Sequence, residues 1–548
     1  MRPRGKFLKS SRGIAISAAV SLVLAATGTS ASAAVGASGG SSTIGEKNGV
    51  ATTNSTLNTA IPGHLVPKGT LNIERALTWP PTFDPFGDSD APNLGLYSWV
   101  FEGLVRQAPD GTFVPWLAKN WKFSPDGLTL TFQLRHGITF SDGEPFNAAA
   151  AKKSLDYVMT GPVSQVLPEN AETLGNVKSV VATSPYVLTL HLKTADRTST
   201  IVWLAKNAGL IVAPKALGKA ATDPIGTGPF TINVAQSNSD HTQVVLNYNP
   251  HYWLKGTIGF QKVVMNTVAD TSSEIEAYQS GQYDIGFENL PTGAPKTGKE
   301  VMGTSVRYFF VINDWQGKQI PALKNIKVRE AMAEAVPRQG IQTIEGTPPQ
   351  TMVTQWAQNP GQYGWIKNFK APSFNLDLAK STFKASGQKG FSFATRSFPG
   401  PTANVWTAWA GALKELGITV NASVLNPPSG DQMFKNFADG TYPVQWIPFE
   451  QATPLLALEQ IAMPNGGLNS AHAAPPGVVS LVKKAEAAPT DAQAAPYVEA
   501  AWKIMLDQYI WIPLWVSYDG FMVHNDIVGV QKVNGLPATF YPQGVYRK

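Results

Sequence analysis

Apolar and polar positions alternate along Leu128-Thr-Leu-Thr-Phe-Gln-Leu134. Leu128, Leu130, Phe132 and Leu134 fall on one face, Thr129, Thr131 and Gln133 on the other, the period of a half-buried β-strand. Ser141-Asp-Gly-Glu-Pro145 breaks the pattern, and Asn147 ahead of Ala148-Ala-Ala-Ala151-Lys152 reads as a capped helix start. Short strands are predicted at 70–75, 177–181, 186–192, 244–248, 262–267, 283–285, 308–312 and 418–424. In the third of these, Val187, Thr189 and His191 oppose Tyr186, Leu188 and Leu190. Pro109-Asp-Gly111 and Pro125-Asp-Gly127 read as turns. Helical spacing marks 93–105, with Leu94, Tyr97, Val100, Phe101 and Leu104 on its apolar side, and 271–280, closing at Gly281. Further helices are predicted at 323–336, where Val328, Met332 and Ala335 share a face, at 375–387, with Leu378 and Phe383 inward, and at 402–416. Trp406 and Trp409, three apart on the last, read as a core stripe.

The first 33 residues have the form of a secretion leader: Arg2, Arg4, Lys6, Lys9 and Arg12, an apolar run from Ile14 to Ala26, and a small-x-small site at Ala31-Ser-Ala33. The run is about 13 residues against the ~20 a spanning helix needs, which favours cleavage over anchoring. The leader also changes the charge balance. Of 44 Lys+Arg and 38 Asp+Glu, it carries five basic and no acidic residues, leaving 39 against 38. The remaining chain is near neutral, which speaks against a nucleic-acid partner. Residues 34–68, rich in Gly, Ser, Thr and Ala, read as a flexible linker. About 480 residues follow, more than one hydrophobic core accommodates, so two or more lobes are expected. Nothing in the pattern calls for a zipper or a long exposed edge, and a monomer is expected.

Catalytic signatures are absent. There is no cysteine, hence no disulfide, thiolate ligand or cysteine nucleophile. The seven histidines are scattered with no His-x-x-x-His spacing. No Gly-x-Ser-x-Gly turn occurs, and Gly226-Thr-Gly228-Pro lacks the strand–helix setting of a dinucleotide loop. Glu274 and Glu276 read as solvated helix residues. No cofactor is expected, and the chain is not read as an enzyme.

The stretch Leu134-Arg-His-Gly-Ile-Thr-Phe-Ser-Asp-Gly-Glu-Pro-Phe146 resembles the L-R-x-G-x-x-F-x-D-G-x-P-F hallmark of the bacterial extracellular solute-binding proteins of family 5, which serve peptide and nickel ABC transporters. Further blocks match in order: Asp84-Pro85, Tyr97 to Leu104, Phe113-Val-Pro-Trp-Leu-Ala118, Pro224-Ile-Gly-Thr-Gly-Pro-Phe230, Asn249-Pro-His-Tyr-Trp253, Val328-Arg-Glu-Ala-Met332 with Pro337-Arg338, and Asn375 to Gly387. The match weakens after about Val424. The resemblance implies an α/β, two-lobed periplasmic-binding-protein-like fold (type II, cluster C) with an extra subdomain on the first lobe. Lobe I would take 69–95, 225–310 and 515–548, the extra subdomain 96–224, and lobe II 311–514. It implies capture of an oligopeptide or peptide-like solute by lobe closure and delivery to ABC permease subunits. A non-peptide hydrophobic solute, nickel or haem, or a secreted adhesin or sensor that kept the fold, are the alternatives. Absence of the lipid-anchor cysteine of many surface-held relatives implies an extracellular or periplasmic protein without that anchor.

By the same resemblance the cleft receives the segment before Asp84-Pro85, here Trp79, Pro80 and Pro81. Trp79 is read as stacking on the solute or as anchoring its loop. Tyr97 is a candidate from the first lobe, with a core role open. Asn313 and Trp315 follow the strand that crosses between lobes, and Trp511 and Trp515 lie on the returning strand. Peptide binders of the family carry Gly-Trp, two small residues and an aspartate that holds the peptide's amino terminus. Here the stretch reads Gln445-Trp446-Ile-Pro-Phe449-Glu450. Trp446 matches the tryptophan, Phe449 occupies the aspartate's place, and Glu450 falls one residue later, facing the other way in an extended segment. The ammonium contact of ordinary peptide binding is therefore put in doubt.

Overall fold

The computed structural model describes residues 46–47, 50–51, 64–75, 82–88, 93–162, 166, 174–196, 199–268, 271–289, 298–345, 353–356, 363–397, 401–425, 430–449, 453–488, 490–536 and 539–548. The leader, most of the linker, Trp79, Pro81 and Glu450 lie outside them.

One eight-stranded sheet runs through the molecule. In chain order its strands are β1 (Thr70–Arg75), β2 (Phe230–Ile232), β3 (Gln243–Tyr248), β4 (Lys262–Thr267), β5 (Ile285–Asn289), β6 (Lys299–Val311), β7 (Gln445–Phe449) and β8 (Trp511–Val523). Their spatial order is β2-β3-β4-β1-β5-β8-β6-β7. β1 pairs in parallel with β4 and β5, and the other neighbours are antiparallel. Two hydrophobic cores divide the chain. The first gathers Leu71, Phe101, Phe230, Val263, Phe287 and Phe521; the second gathers Phe309, Met332, Trp406, Ile447, Trp502 and Trp515. The long strands β6 and β8 pass from one core to the other, so two adjacent crossings join two lobes. Their pairing slips between Thr304 and Arg307 and again between Tyr308 and Phe309. Such bulges leave ladder groups unpaired and increase twist. At the first slip Val306 N donates to Ser517 Oγ at 2.9 Å, a side chain standing in for a backbone acceptor.

On the first lobe sits a four-stranded antiparallel sheet, 118–123, 129–134, 187–192 and 177–184 in spatial order. The alternation read from the sequence holds: Leu130, Phe132, Leu134, Leu188 and Leu190 are buried. Leu128 precedes the strand and is exposed. Asn147 caps helix 148–160, its side chain accepting from Ala150 N at 3.0 Å.

The seam between this subdomain and the first lobe is built around a buried carboxylate. Glu102 accepts from Trp116 Nε1 (2.7 Å), Trp253 Nε1 (2.9 Å), Thr227 Oγ1 (2.9 Å) and Tyr252 OH (3.1 Å). Burial raises its pKa, and these four donors oppose the rise. Arg106 lies between the Trp116 and Tyr541 rings, 3.4 and 4.4 Å from their centroids. A Cβ on Gly226 would stand 2.1 Å from Val100 O, and one on Gly228 2.5 Å from Trp99 O, so only glycine fits at either place. Three separate matched blocks, 113–118, 224–230 and 249–253, thus meet at one carboxylate.

In the second lobe Val328, Met332, Trp406 and Trp409 are fully buried, as their spacing predicts. Two inferences need correction. Leu378 points to solvent, because Ala379, Thr382 and Phe383 set the buried face of helix 376–385 and Leu378 lies a helical step off it. Glu274 is buried rather than solvated, its Oε1 accepting from Phe287 N at 2.8 Å, which ties helix 271–279 to β5.

Candidate functional site

β6, β7 and β8 bring aromatic rings together on the second lobe beside the crossing. Register puts Tyr308 opposite Trp515 and Phe310 opposite Trp446. The Tyr308 ring stacks on Trp515 (4.5 Å, 18°) and on Trp446 (5.1 Å, 21°). Trp446 and Trp515 are buried, and the central Tyr308 is half-buried. On the other face of the sheet Phe449 meets Trp356 and Trp511 edge-on, at 5.7 and 5.9 Å. Phe449 is buried; it belongs to the second core at the end of β7.

Arg307 stands opposite Phe449 in the β6–β7 ladder. Its Nε donates to Trp356 O at 3.1 Å and its guanidinium lies 4.8 Å from the Trp356 ring centroid. Arg338, at the start of helix 338–345, donates through Nη1 to Val353 O and Pro513 O. The two arginines thus flank the short segment 353–356, which is tied to β8 by Val353 N donating to Leu514 O at 3.0 Å. Burial lowers both guanidinium pKa values to about 10, so each remains a cation at neutral pH.

The other candidates are placed elsewhere. Tyr97 is fully buried, and its hydroxyl donates to Thr82 O (2.8 Å) and Asp88 Oδ2 (3.0 Å). It fixes the 82–88 loop and has no surface to offer a solute, in place of the expected contact. Asn313 Nδ2 donates to Gln445 Oε1 (2.9 Å) and Tyr442 O (3.2 Å), pinning the far end of β6. Asn313 and Trp315 line a shallow open pocket with Phe437, Leu468 and Trp511. Asn313 thus lies beside the Gln445 end of β7, next to Trp446, and six residues, about 20 Å along a strand, from Arg307 at the Phe449 end. Sequence reasoning missed Arg307 and Tyr308; the only signal was a charge opening an otherwise apolar strand.

The lobes also touch away from the crossing. Leu456, on helix 454–462 of the second lobe, is buried in the first core. On the same helix Glu459 Oε2 accepts from Ser199 Oγ of the subdomain. Burial, and then the nearby Asp196 charge, raise the Glu459 pKa well above the ordinary carboxylate value; Glu486 adds to the rise and Ser199 opposes it. Among the described residues no three His, Cys, Asp or Glu side chains come together as metal ligands. Among them, too, no helix is long and apolar enough to cross a membrane.

The family model for "Bacterial extracellular solute-binding proteins, family 5 Middle" matches residues 112–451. The nickel-binding periplasmic protein of Escherichia coli (strain K12) is 30% identical over 223 residues, 39% of this chain and 41% of that protein. A putative ABC transporter peptide-binding protein of Brucella ovis is 26% identical over 362 residues, 61% of this chain and 65% of its own length. The match therefore spans less than two thirds of either relative. Among solved structures, NikA from Brucella suis in complex with Fe(III)-EDTA superposes with a TM-score of 0.73 at 18% identity, covering 88% of this chain and 100% of that one. DppA from Helicobacter pylori in complex with peptide STSA gives 0.69 at 21% identity, covering 88% and 98%. These likenesses show the two-lobed fold.

Proposed function

Since this chain belongs to the bacterial extracellular solute-binding proteins of family 5, we propose that it captures a peptide-like or other small solute between its lobes and presents it to the permease of an ABC importer. The observation that carries this reading is the pair of crossings, β6 and β8, with the Tyr308–Trp446–Trp515 stack beside them. Sites at domain interfaces lined by aromatic rings suit small solutes, and two adjacent bulged strands suit a hinge. Relatives named for nickel, peptide and glutathione binding support solute capture and leave the solute open. Export through a cleaved leader at residues 1–33, operation outside the cytoplasm as a monomer, and the lack of catalysis belong to the same proposal.

Native mass spectrometry of the secreted protein, combined with small-angle scattering before and after denaturing removal of bound material, tests it. A retained small molecule, whose return compacts the stripped and refolded protein, is the expected result. A protein that carries nothing and keeps one radius of gyration in a peptide-rich broth extract overturns solute capture by lobe closure.

A further inference from the structure

We propose that the solute is an anion, held through a carboxylate or similar oxyanion by Arg307 with Arg338 beside it. This rests on the solute-capture reading above and names its substrate class. Where the resemblance implies an aspartate for a peptide's ammonium, the chain has Phe449, and the residue paired with it across the ladder is a cation, Arg307. Side chains so paired lie about 5 Å apart at Cβ, so the position that would attract an ammonium repels one.

Neither the Arg307 nor the Arg338 guanidinium makes an ion pair among the described residues, and burial alone accounts for the lowering of each pKa. Among the described residues Arg307 uses only Nε, toward Trp356 O. Arg338 spends Nη1 on two carbonyls, while its Nε is buried with no acceptor. Arg329 is the internal contrast. It too is desolvated, with a pKa lowered to about 10, but it donates to the carbonyls of Leu323, Lys324 and Gln508 and to Gln508 Oε1. Arg329 is a structural arginine with its donors used; Arg307 keeps a planar fork open, the geometry that matches an oxyanion.

A desolvated cation without a partner is unfavourable. In the closed arrangement a bound anion supplies the missing partner, and in an open one water does. The anion therefore interacts differently with the two states, which is the requirement for a ligand to drive closure. The Trp356 ring beside the arginine and the Phe449 ring paired with it across the ladder favour a carboxylate carried on an aromatic or apolar body.

The test uses matched fragments on the stripped, refolded secreted protein: benzoate and indole-3-acetate against benzamide and indole-3-acetamide, with C-amidated Ala-Ala-Phe as a free-amine probe. Melting temperature and Trp fluorescence are followed to 20 mM. The expected result is a dose-dependent rise with the two carboxylates and none with their amides. Arg307→Gln should weaken the carboxylates by roughly tenfold or more, the size of a lost charge-assisted hydrogen bond, with Arg307→Lys intermediate. Unliganded melting of both variants checks that they fold. Equal effects of acid and amide, a response to the free-amine peptide alone, or no carboxylate response in the wild type each overturn the proposal. Scattering with the broth extract separates the two readings: compaction retained without carboxylate preference leaves solute capture standing and removes the anion.

Discussion

Glu74 gives a quantitative test of the first lobe. It lies on β1, fully buried, and among the described residues neither carboxyl oxygen has a hydrogen-bond partner. It sits over Gly286 of β5, where an added Cβ would stand 3.4 Å from Glu74 Oε1 and 2.8 Å from Met522 Cε. Desolvation, and then the Glu274 charge, push its pKa from 4.5 up to about 9. The folded chain therefore holds a proton that the unfolded chain releases above pH 4.5. Glu74's contribution to stability is fully present below that pH and is lost as pH rises toward 9. At about 1.4 kcal/mol per pH unit, the cost by pH 7 is on the order of 3 kcal/mol. Glu74→Gln keeps the shape without the titration. Urea denaturation followed by Trp fluorescence should show the variant close to wild type at pH 4.5 and more stable by about 2–3 kcal/mol at pH 7, with a wider gap at pH 8.5. A difference that does not change with pH, or a variant less stable at pH 7, would refute the protonated, unpartnered carboxylate.

Three further perturbations test other parts of the fold. Lys532 and Asp519 form a buried ion pair at 3.1 Å, and Lys532 also donates to Val533 O and Leu536 O. Lys532→Met should cost about 3–5 kcal/mol by stranding the aspartate, and Lys532→Met with Asp519→Leu less; equal losses in urea titration would contradict the coupling. Gly226→Ala places a Cβ 2.1 Å from Val100 O and should fail to fold or lose many degrees in thermal melting. Gly143→Ala, at φ +87° with nothing within 4 Å of the new Cβ, should cost only the backbone strain, roughly 1–2 kcal/mol. The Glu459 pKa is raised in the contact with Ser199, among Asp196 and Glu486, so lobe contact should weaken as pH rises above the ordinary carboxylate range. Scattering should show a larger radius of gyration at pH 8 than at pH 5, and Glu459→Gln should abolish the difference; the opposite trend would count against a buried interlobe carboxylate.

The legible parts of this fold are those fixed by local rules. Alternation placed Leu130 to Leu134 in a strand with their side chains buried, and Asn147 marked a helix start that its side chain does cap. Gly281 was read as a helix stop and Gly143 in the break after a strand, and both have positive φ. Spacing alone put Trp406 and Trp409 in the core. The carboxylates were not legible. Glu74, Glu102 and Glu274 look on the chain like any solvated acid, and each is buried by elements distant in sequence. Glu102 finds its donors at Trp116, Thr227, Tyr252 and Trp253, positions that the matched blocks made visible as words without showing that they share an acceptor.

The same limit governs the site. Trp446 and Phe449 were singled out by the resemblance to the peptide binders' Gly-Trp and aspartate stretch, and Arg307 escaped because its meaning depends on register. Read along β6, Arg307 is one charge before Tyr308-Phe-Phe-Val-Ile312; read across to β7, it faces the residue that replaces an aspartate. A change from carboxylate to phenylalanine by itself removes a preference for ammonium. With a cation opposite and no ion pair offered to it among the described residues, the change becomes a preference for the other sign. On the anion proposal, what the cleft selects is set by a pair of residues 142 positions apart, and the ladder that joins them lies on a strand that crosses between the lobes, so the choice of solute charge and any closure of the cleft would act on one strand.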